Sequence, residues 1–110
     1  MNMTASLNGD TIILCISGRM DATSVDEFND EWARYSTQGK NFIFDLDGLE
    51  YISSAGLRCV LTVGKACMAS KSKLAFCNLG TMVSDVFKLS GFNSILKIYP
   101  TRDEALAAIC

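Results

Sequence analysis

The chain has 110 residues, of which 49% are apolar and 20% charged, with a single proline. This length and composition favour one folded domain, 1–110, and exclude a largely disordered chain. No apolar run approaches the roughly 18 residues that span a bilayer, and the first residues lack the pattern of a secretion signal. We therefore expect a cytoplasmic protein with no membrane span.

The net charge of −2 is unevenly distributed. Residues 1–50 contain nine acids and three bases (−6), whereas residues 51–110 contain three acids and seven bases (+4). The bases are dispersed and are not interleaved with aromatic residues, which argues against a nucleic-acid partner. Ordinary solvated surfaces are the favoured interpretation of this distribution, although a polarised surface would suit a protein partner.

The chain has five cysteines and no histidine. Without histidine, Ser–His–Asp and Cys–His catalysis are excluded. The cysteines and acids show no metal-ligand spacing, so we expect neither a metal nor a cofactor. Cys15 and Cys67 fall within apolar patterns, and the cysteines are best interpreted as small buried apolar residues.

Apolar periodicity and turn residues predict the elements in chain order. Asn8-Gly9 predicts a two-residue hairpin turn between strands at 3–7 and 11–17. The remaining elements follow in this order: helix 24–37, strand 41–46, helix 54–69, strand 73–78, helix 81–89, strand 95–99 and helix 101–110. Because strands and helices alternate after the hairpin, we predict an α/β fold with a mixed sheet of about five strands and about four helices.

Two features of the predicted helices can be compared directly with a structure. Thr23 and Ser24, followed by Asp26 and Glu27, predict a capping box at the first helix. These caps leave Asp21 with little expected structural role. Apolar spacing predicts that the second and third helices bury Leu57, Val60, Leu61, Gly64, Cys67, Met68, Met82, Val83, Val86 and Phe87.

The junction at residues 42–58 is the most informative segment. An apolar strand leads into a predicted acidic turn at 45–50, and Ser53-Ser54 then opens a helix. A helix start has unpaired N–H groups and a partial positive charge, so one serine can simply be its N-cap. That interpretation leaves the second serine unexplained, and also Arg58, whose charge opposes the helix dipole unless an anion lies nearby.

Asp45 and Asp47 in this segment suggest a second interpretation. Their spacing resembles the Asp-x-Asp signature of haloacid-dehalogenase-type phosphatases, which act around magnesium. Leu49 stands where that signature has a threonine, and no later acidic pair completes a metal site. This interpretation is therefore disfavoured.

A third interpretation rests on motifs that span almost the whole chain. The segment 45–58, Asp-Leu-x-Gly-Leu-x-Tyr-Ile-Ser-Ser-Ala-Gly-Leu-Arg, closely resembles the signature of STAS domains, which sulfate transporters share with anti-sigma factor antagonists. Residues 18–23 are similar to the family's turn before the first helix. Residues 81–92 are similar to its third helix and the following turn. The length matches the free-standing antagonists.

The resemblance implies a phosphorylation-switched binding protein and not an enzyme. In the family, an anti-sigma factor serine kinase with a histidine-kinase-like ATP site phosphorylates a serine that aligns with Ser54. A metal-dependent serine phosphatase reverses this step. Many members have an aspartate where this chain has Ser53, and a serine or threonine in place of Ala55. The resemblance also places Asp21 beside Ser54 and implies a partner-binding surface of Asp21, Thr23, Ser53, Ser54, Ala55, Gly56 and Arg58.

We therefore expect an anti-sigma factor antagonist that binds its kinase when unmodified and releases it when phosphorylated. Two alternatives stay open. One is a STAS partner-switching regulator of a different output, such as secretion, motility or biofilm formation. The other is a passive ligand-binding or lipid-transport accessory domain in which Ser54 only caps the helix.

Overall fold

The computed structural model describes residues 1–109, in which a mixed sheet has helices on both faces. Its strands are β1 (Asn2–Asn8), β2 (Thr11–Met20), β3 (Asn41–Ile52), β4 (Lys73–Cys77) and β5 (Lys97–Tyr99). Its helices are α1 (Val25–Tyr35), α2 (Ser54–Ser70), α3 (Thr81–Leu89) and α4 (Arg102–Ile109), with a short 3-10 helix at Phe92–Ser94. The predicted extension of the last helix to Cys110 lies outside the described residues.

The strand order is the chain order, β1-β2-β3-β4-β5. The β1–β2 pair is antiparallel and the other three pairs are parallel, which confirms the predicted mixed sheet. The hairpin turn consists of Gly9 and Asp10, one residue later than predicted, since Asn8 and Thr11 still pair. Gly9 has a φ of +62°, a left-handed conformation that glycine adopts without strain.

The sheet separates two apolar clusters. The larger lies under α1, α2 and α3, where Phe28, Phe44, Phe76 and Phe87 form a chain of ring contacts 5.3–6.1 Å apart. The smaller lies under α4 and includes Ile43 and Ala105. No helix in residues 1–109 has the length and apolar character needed to cross a membrane.

The predicted burial of the second and third helices is partly confirmed. Val60, Cys67, Val83 and Phe87 are buried, and Leu57, Leu61, Gly64 and Val86 are half-buried. The methionines are the errors, since Met68 is 78% exposed and Met82 39% exposed. Met68 lies in the last turns of α2, and no other described element covers it there.

The acidic segment is not a turn, as the sequence suggested, but part of β3. The strand continues to Ile52 and stays paired with β2 throughout. Between the pairs Cys15–Asp45 and Ser17–Gly48, and again between Gly18–Leu49 and Arg19–Tyr51, β3 contains one residue more than β2. These two β-bulges change which side chains face outward without ending the strand.

Asp45 anchors α4 to the sheet. Its carboxylate is buried and accepts hydrogen bonds from the Arg102 Nε at 2.9 Å and the Asn78 side-chain amide at 3.1 Å. A second guanidinium nitrogen of Arg102 lies 2.9 Å from Asp45 Oδ2. The Asp47 backbone N–H completes the set at 3.1 Å. These donors and the Arg102 cation offset the cost of burying the Asp45 carboxylate beside the apolar cluster.

We expect Arg102→Ala to lower the free energy of unfolding by about 2 kcal/mol, because the buried carboxylate keeps only its neutral hydrogen bonds. Arg34→Ala is the matched control, since the Arg34 side chain is 62% exposed and its pair with Glu31, at 3.7 Å, should contribute less than about 0.5 kcal/mol. Urea denaturation of both variants measures the difference. Equal losses for the two variants would contradict an anchoring role for Arg102.

Candidate functional site

The site is formed where β2 and β3 end side by side and α2 begins. Met20 pairs with Ile52, and the Ser53 backbone N–H donates to the Met20 carbonyl at 2.8 Å. Gly56 fits against the same carbonyl, because a Cβ at this position would lie 2.9 Å from the Met20 oxygen. The first turn of α2 therefore packs directly on the end of β2.

The two serines have different positions at this helix start. Ser53 is the N-cap, and its hydroxyl accepts a hydrogen bond from the Gly56 N–H at 3.4 Å. Ser54 is the first helical residue and is exposed. Within residues 1–109 its hydroxyl forms no hydrogen bond. The capping function thus belongs to Ser53, and the Ser54 hydroxyl points into solvent beside unpaired helix N–H groups.

Asp21 organises the neighbouring loop, which corrects the expectation that it has little structural role. Its carboxylate accepts hydrogen bonds from the Thr23 backbone N–H at 3.0 Å and the Thr23 hydroxyl at 2.6 Å.

The predicted capping box at α1 is wrong. The buried Ser24 is the N-cap of α1 by position, but its hydroxyl donates instead to the Arg19 carbonyl at 2.9 Å.

These hydrogen bonds from Thr23 lower the pKa of Asp21, and the nearby Arg19 guanidinium acts in the same direction. A carboxyl whose pKa is lower in the folded state stabilises the fold above its unfolded pKa. That contribution is lost as the pH falls through the folded pKa. The loop is therefore held by an ionised Asp21 at neutral pH.

Arg19 and Tyr51 are site residues that the sequence analysis missed. The Arg19 guanidinium lies 4.2 Å above the Tyr51 ring centroid, and its Nε is 3.8 Å from Asp21 Oδ2. Arg19 is also 60% exposed. Its contact with the ring restricts this cation near the ends of β2 and β3. Arg19 meets Tyr51 only because of the bulges in β3, since an unbroken register from Cys15–Asp45 would place Arg19 opposite Leu49.

The other predicted surface residues divide by exposure. Arg58 is exposed, lies four residues after Ser54 on the same side of α2, and forms no ion pair with any described residue. Thr23 is exposed and Ala55 half-buried. Gly56 is buried and therefore shapes the site without belonging to its exposed surface. Asp21 and Ser54 follow adjacent strand ends, but no hydrogen bond joins them among the described residues.

The phosphatase-like interpretation does not fit the geometry. A nucleophilic carboxylate must reach its substrate, whereas Asp45 is buried and held by Arg102 and Asn78. Asp47 is exposed, but residues 1–109 contain no group of three or more histidine, cysteine, aspartate or glutamate side chains that could hold a metal ion. Asp45 and Asp47 are thus residues of strand β3 and do not form a phosphatase site.

The interpretation of the cysteines as apolar residues is confirmed for the three buried ones, Cys59, Cys67 and Cys77. Burial raises the pKa of Cys67 to about 11 and that of Cys77 to about 12, so these thiols stay protonated at neutral pH. Cys15 is half-buried, and its sulfur accepts a hydrogen bond from Arg102 at 3.1 Å.

The family is decided by a match of the STAS domain model to residues 2–105. The chain belongs to the STAS domain family. A protein from Bordetella bronchiseptica named as an anti-sigma factor antagonist, BtrV, is 35% identical over 109 residues, which cover 98% of this chain and 94% of that protein. The STAS assignment and the relation to anti-sigma factor antagonists agree with the motifs at 18–23, 45–58 and 81–92.

Solved structures share the STAS fold at lower identity. One is described as an anti-sigma factor antagonist, TM1081 of Thermotoga maritima (TM-score 0.91, 20% identity, 97% of this chain and 93% of that chain). Another is the Bacillus cell fate determinant SpoIIAA in its phosphorylated form (TM-score 0.75, 17% identity, 99% of this chain and 100% of that chain). These similarities establish the five-stranded fold with its four helices.

We expect Ser53→Ala to lower the free energy of unfolding by about 0.5 to 1 kcal/mol, because α2 loses its N-cap hydrogen bond. Ser54→Ala should change it by less than about 0.3 kcal/mol, since that hydroxyl makes no such bond and alanine favours helix. Thermal denaturation of both variants compares them. A larger loss for Ser54→Ala would mean that Ser54 is the structural serine.

Proposed function

We propose that residues 1–110 act as one cytoplasmic binding domain, an anti-sigma factor antagonist switched by phosphorylation of Ser54. Unmodified, it binds a serine-kinase anti-sigma factor with a histidine-kinase-like ATP site. Phosphorylated, it releases that kinase until a metal-dependent serine phosphatase restores the hydroxyl. The observation that carries the proposal is the exposed Ser54 hydroxyl, which Ser53 frees from the capping function.

The site lacks the groups that would activate Ser54 within this chain. No described side chain accepts a hydrogen bond from its hydroxyl, and the chain has no histidine. Asp21, in the loop that follows the end of the neighbouring strand β2, has its carboxylate occupied by Thr23 and Arg19. The base that removes the hydroxyl proton must therefore come from the kinase. We accordingly propose a substrate and binding module, not an enzyme.

A phosphate on Ser54 is compatible with the fold. It adds about −1.5 to −2 charges at pH 7. At the first helical residue these charges face unpaired N–H groups and the positive end of the α2 dipole. There is no acid in the first turn of α2 to repel them. The phosphate should therefore act on the partner interface, where burial of the dianion would require its desolvation.

The surface around Ser54 supports recognition by a protein. Arg19 and Arg58 are exposed cations, and Tyr51 and Ala55 are half-buried beside them. Arg19 is restricted by its contact with Tyr51, so less side-chain entropy is lost when it pairs with a partner. The proposed interface therefore combines the restricted Arg19 guanidinium with the small residues at the start of α2.

The position of the phosphate is the first test. We expect affinity purification from the source cell to recover a kinase with the wild-type protein and much less of it with Ser54→Asp. That kinase with ATP should add one phosphate to the wild-type protein and to Ser53→Ala, and none to Ser54→Ala. Mass spectrometry of the digested products locates the phosphate. Phosphate on Ser53, Ser24 or Thr23 with Ser54 bare would contradict the proposal.

Binding of unphosphorylatable and charged variants is the second test. Ser54→Ala should bind the kinase as tightly as the unmodified protein, whereas Ser54→Asp should bind at least ten-fold more weakly, about 1.4 kcal/mol. Ser6→Asp is the matched control, because Ser6 is an exposed β1 residue at the opposite end of the sheet. Titration calorimetry gives the affinities. Equal affinities for all three variants would favour the passive accessory domain, in which Ser54 has no switching role.

Arg58 should stabilise the phosphorylated form in particular. The residue lies one helical turn after Ser54 and has no other ionic partner among residues 1–109. A charge-assisted pair with the phosphate should contribute about 1 kcal/mol at this partly exposed position. Thermal melts of four forms, with and without the phosphate and Arg58→Ala, give the coupling energy. Zero coupling, with weaker kinase binding by Arg58→Ala, would make Arg58 an interface residue only.

A further inference from the structure

A groove of about 410 Å³ lies at the other end of α2 from Ser54 and is not used by the proposed switch. Met68 from α2, Leu74 from β4 and Leu96 before β5 line it, and it reaches the end of α4 at Ile109. Met68 lies fourteen positions after Ser54 in α2, a distance of about 21 Å along a helix. The groove is therefore a separate surface.

The rim of this groove exposes large apolar side chains. Met68 is 78% exposed and Ile95 is 58% exposed, and both line the groove. Methionine is unbranched and polarizable, so it adapts to differently shaped apolar partners. Burial of these two side chains by a ligand would remove apolar surface from water.

The free edge of the sheet runs along the same groove. β5 is the last strand and pairs only with β4, so the outward N–H and C=O groups of Lys97–Tyr99 have no strand partner in residues 1–109. A second groove of about 360 Å³ follows this outer edge along residues 93–99. An acyl chain cannot satisfy these backbone groups, whereas an extended peptide can.

Charge then restricts the kind of peptide. Lys73 and Lys97 are exposed and line the groove, and no acidic residue lines either this groove or the outer edge. Two cations at this edge repel a basic strand, whereas cross-strand pairs of opposite charge are favourable, so an acidic strand is the occupant that the charges favour. A second copy of this chain, paired about a two-fold axis at β5, would bring another Lys73 and Lys97 to the same edge.

We propose that the β5 edge and its groove bind an extended acidic segment of a partner protein. Its backbone pairs with Lys97–Tyr99, its apolar side chains pack on Met68 and Ile95, and its carboxylates pair with Lys73 and Lys97. This surface binds independently of the phosphorylation state of Ser54. The protein therefore has two docking surfaces at opposite ends of α2.

A peptide titration tests this assignment. The probe is a seven-residue peptide that alternates glutamate with valine or leucine, and the comparison peptides carry lysine for glutamate or serine for the apolar residues. We expect the probe to shift the amide resonances of ¹⁵N-labelled protein at residues 95–99 and 68, with a Kd of about 1 mM or below. Lys73→Glu/Lys97→Glu should weaken binding at least ten-fold, and Ser6→Asp, at an exposed residue of β1 on the opposite edge of the sheet, should leave it unchanged. Both comparison peptides should bind at least ten-fold more weakly.

Four other outcomes would overturn the proposal. These are equal binding of the lysine peptide, loss of binding with Ser6→Asp as large as with the double variant, shifts outside the groove, or binding of dodecanoate at these resonances when the probe does not bind. Self-association through β5 in sedimentation would also overturn it in favour of a second copy. Because the site of phosphorylation is measured separately, a failure here leaves the Ser54 proposal intact.

Discussion

The contact between the first turn of α2 and the end of β2 is the constraint on which the site depends. Any side chain at position 56 would bring its Cβ to 2.9 Å from the Met20 carbonyl and 2.7 Å from Ile52, so glycine is required. The Ser53 N–H also donates a hydrogen bond to the Met20 carbonyl oxygen, at 2.8 Å. With the backbone held at both points, Ser53 must face the helix and Ser54 must face solvent.

This geometry separates structural from exposed polar groups throughout the site. Ser53 caps α2 and Asp21 holds its own loop, whereas Ser54, Arg58 and much of Arg19 are accessible. A modification on Ser54 therefore replaces no hydrogen bond that the fold uses. Under the proposed function, the same separation would let a charge at this position act on a partner without unfolding the domain.

Local sequence features predicted the strand and helix order and the serine at the helix start. Periodicity and turn residues report on neighbours a few positions apart, and these elements depend on such neighbours. The β-bulges of β3 have no local signature, so its continuation to Ile52 and the Arg19–Tyr51 contact could not be derived. The Asp45–Arg102 pair joins residues 57 positions apart and depends on where α4 docks.

The exposed Met68 is a different kind of error. Its spacing along α2 matches that of the buried Val60 and Cys67, but burial requires a neighbouring element, and the sheet ends at the short β5. Periodicity describes the face of a helix and does not show how far the opposing sheet extends. Such a residue is informative because the molecule leaves an apolar side chain uncovered.

The central claim is that phosphate on Ser54 changes binding without changing the fold. The direct measurement is a calorimetric titration of the kinase with unmodified and Ser54-phosphorylated protein, with ¹⁵N spectra of both samples. We predict spectra that differ only around residues 19–23 and 51–58, together with an affinity lower by more than a hundredfold, about 3 kcal/mol. Equal affinities for the two proteins, or a loss of affinity that accompanies general unfolding, would contradict the claim.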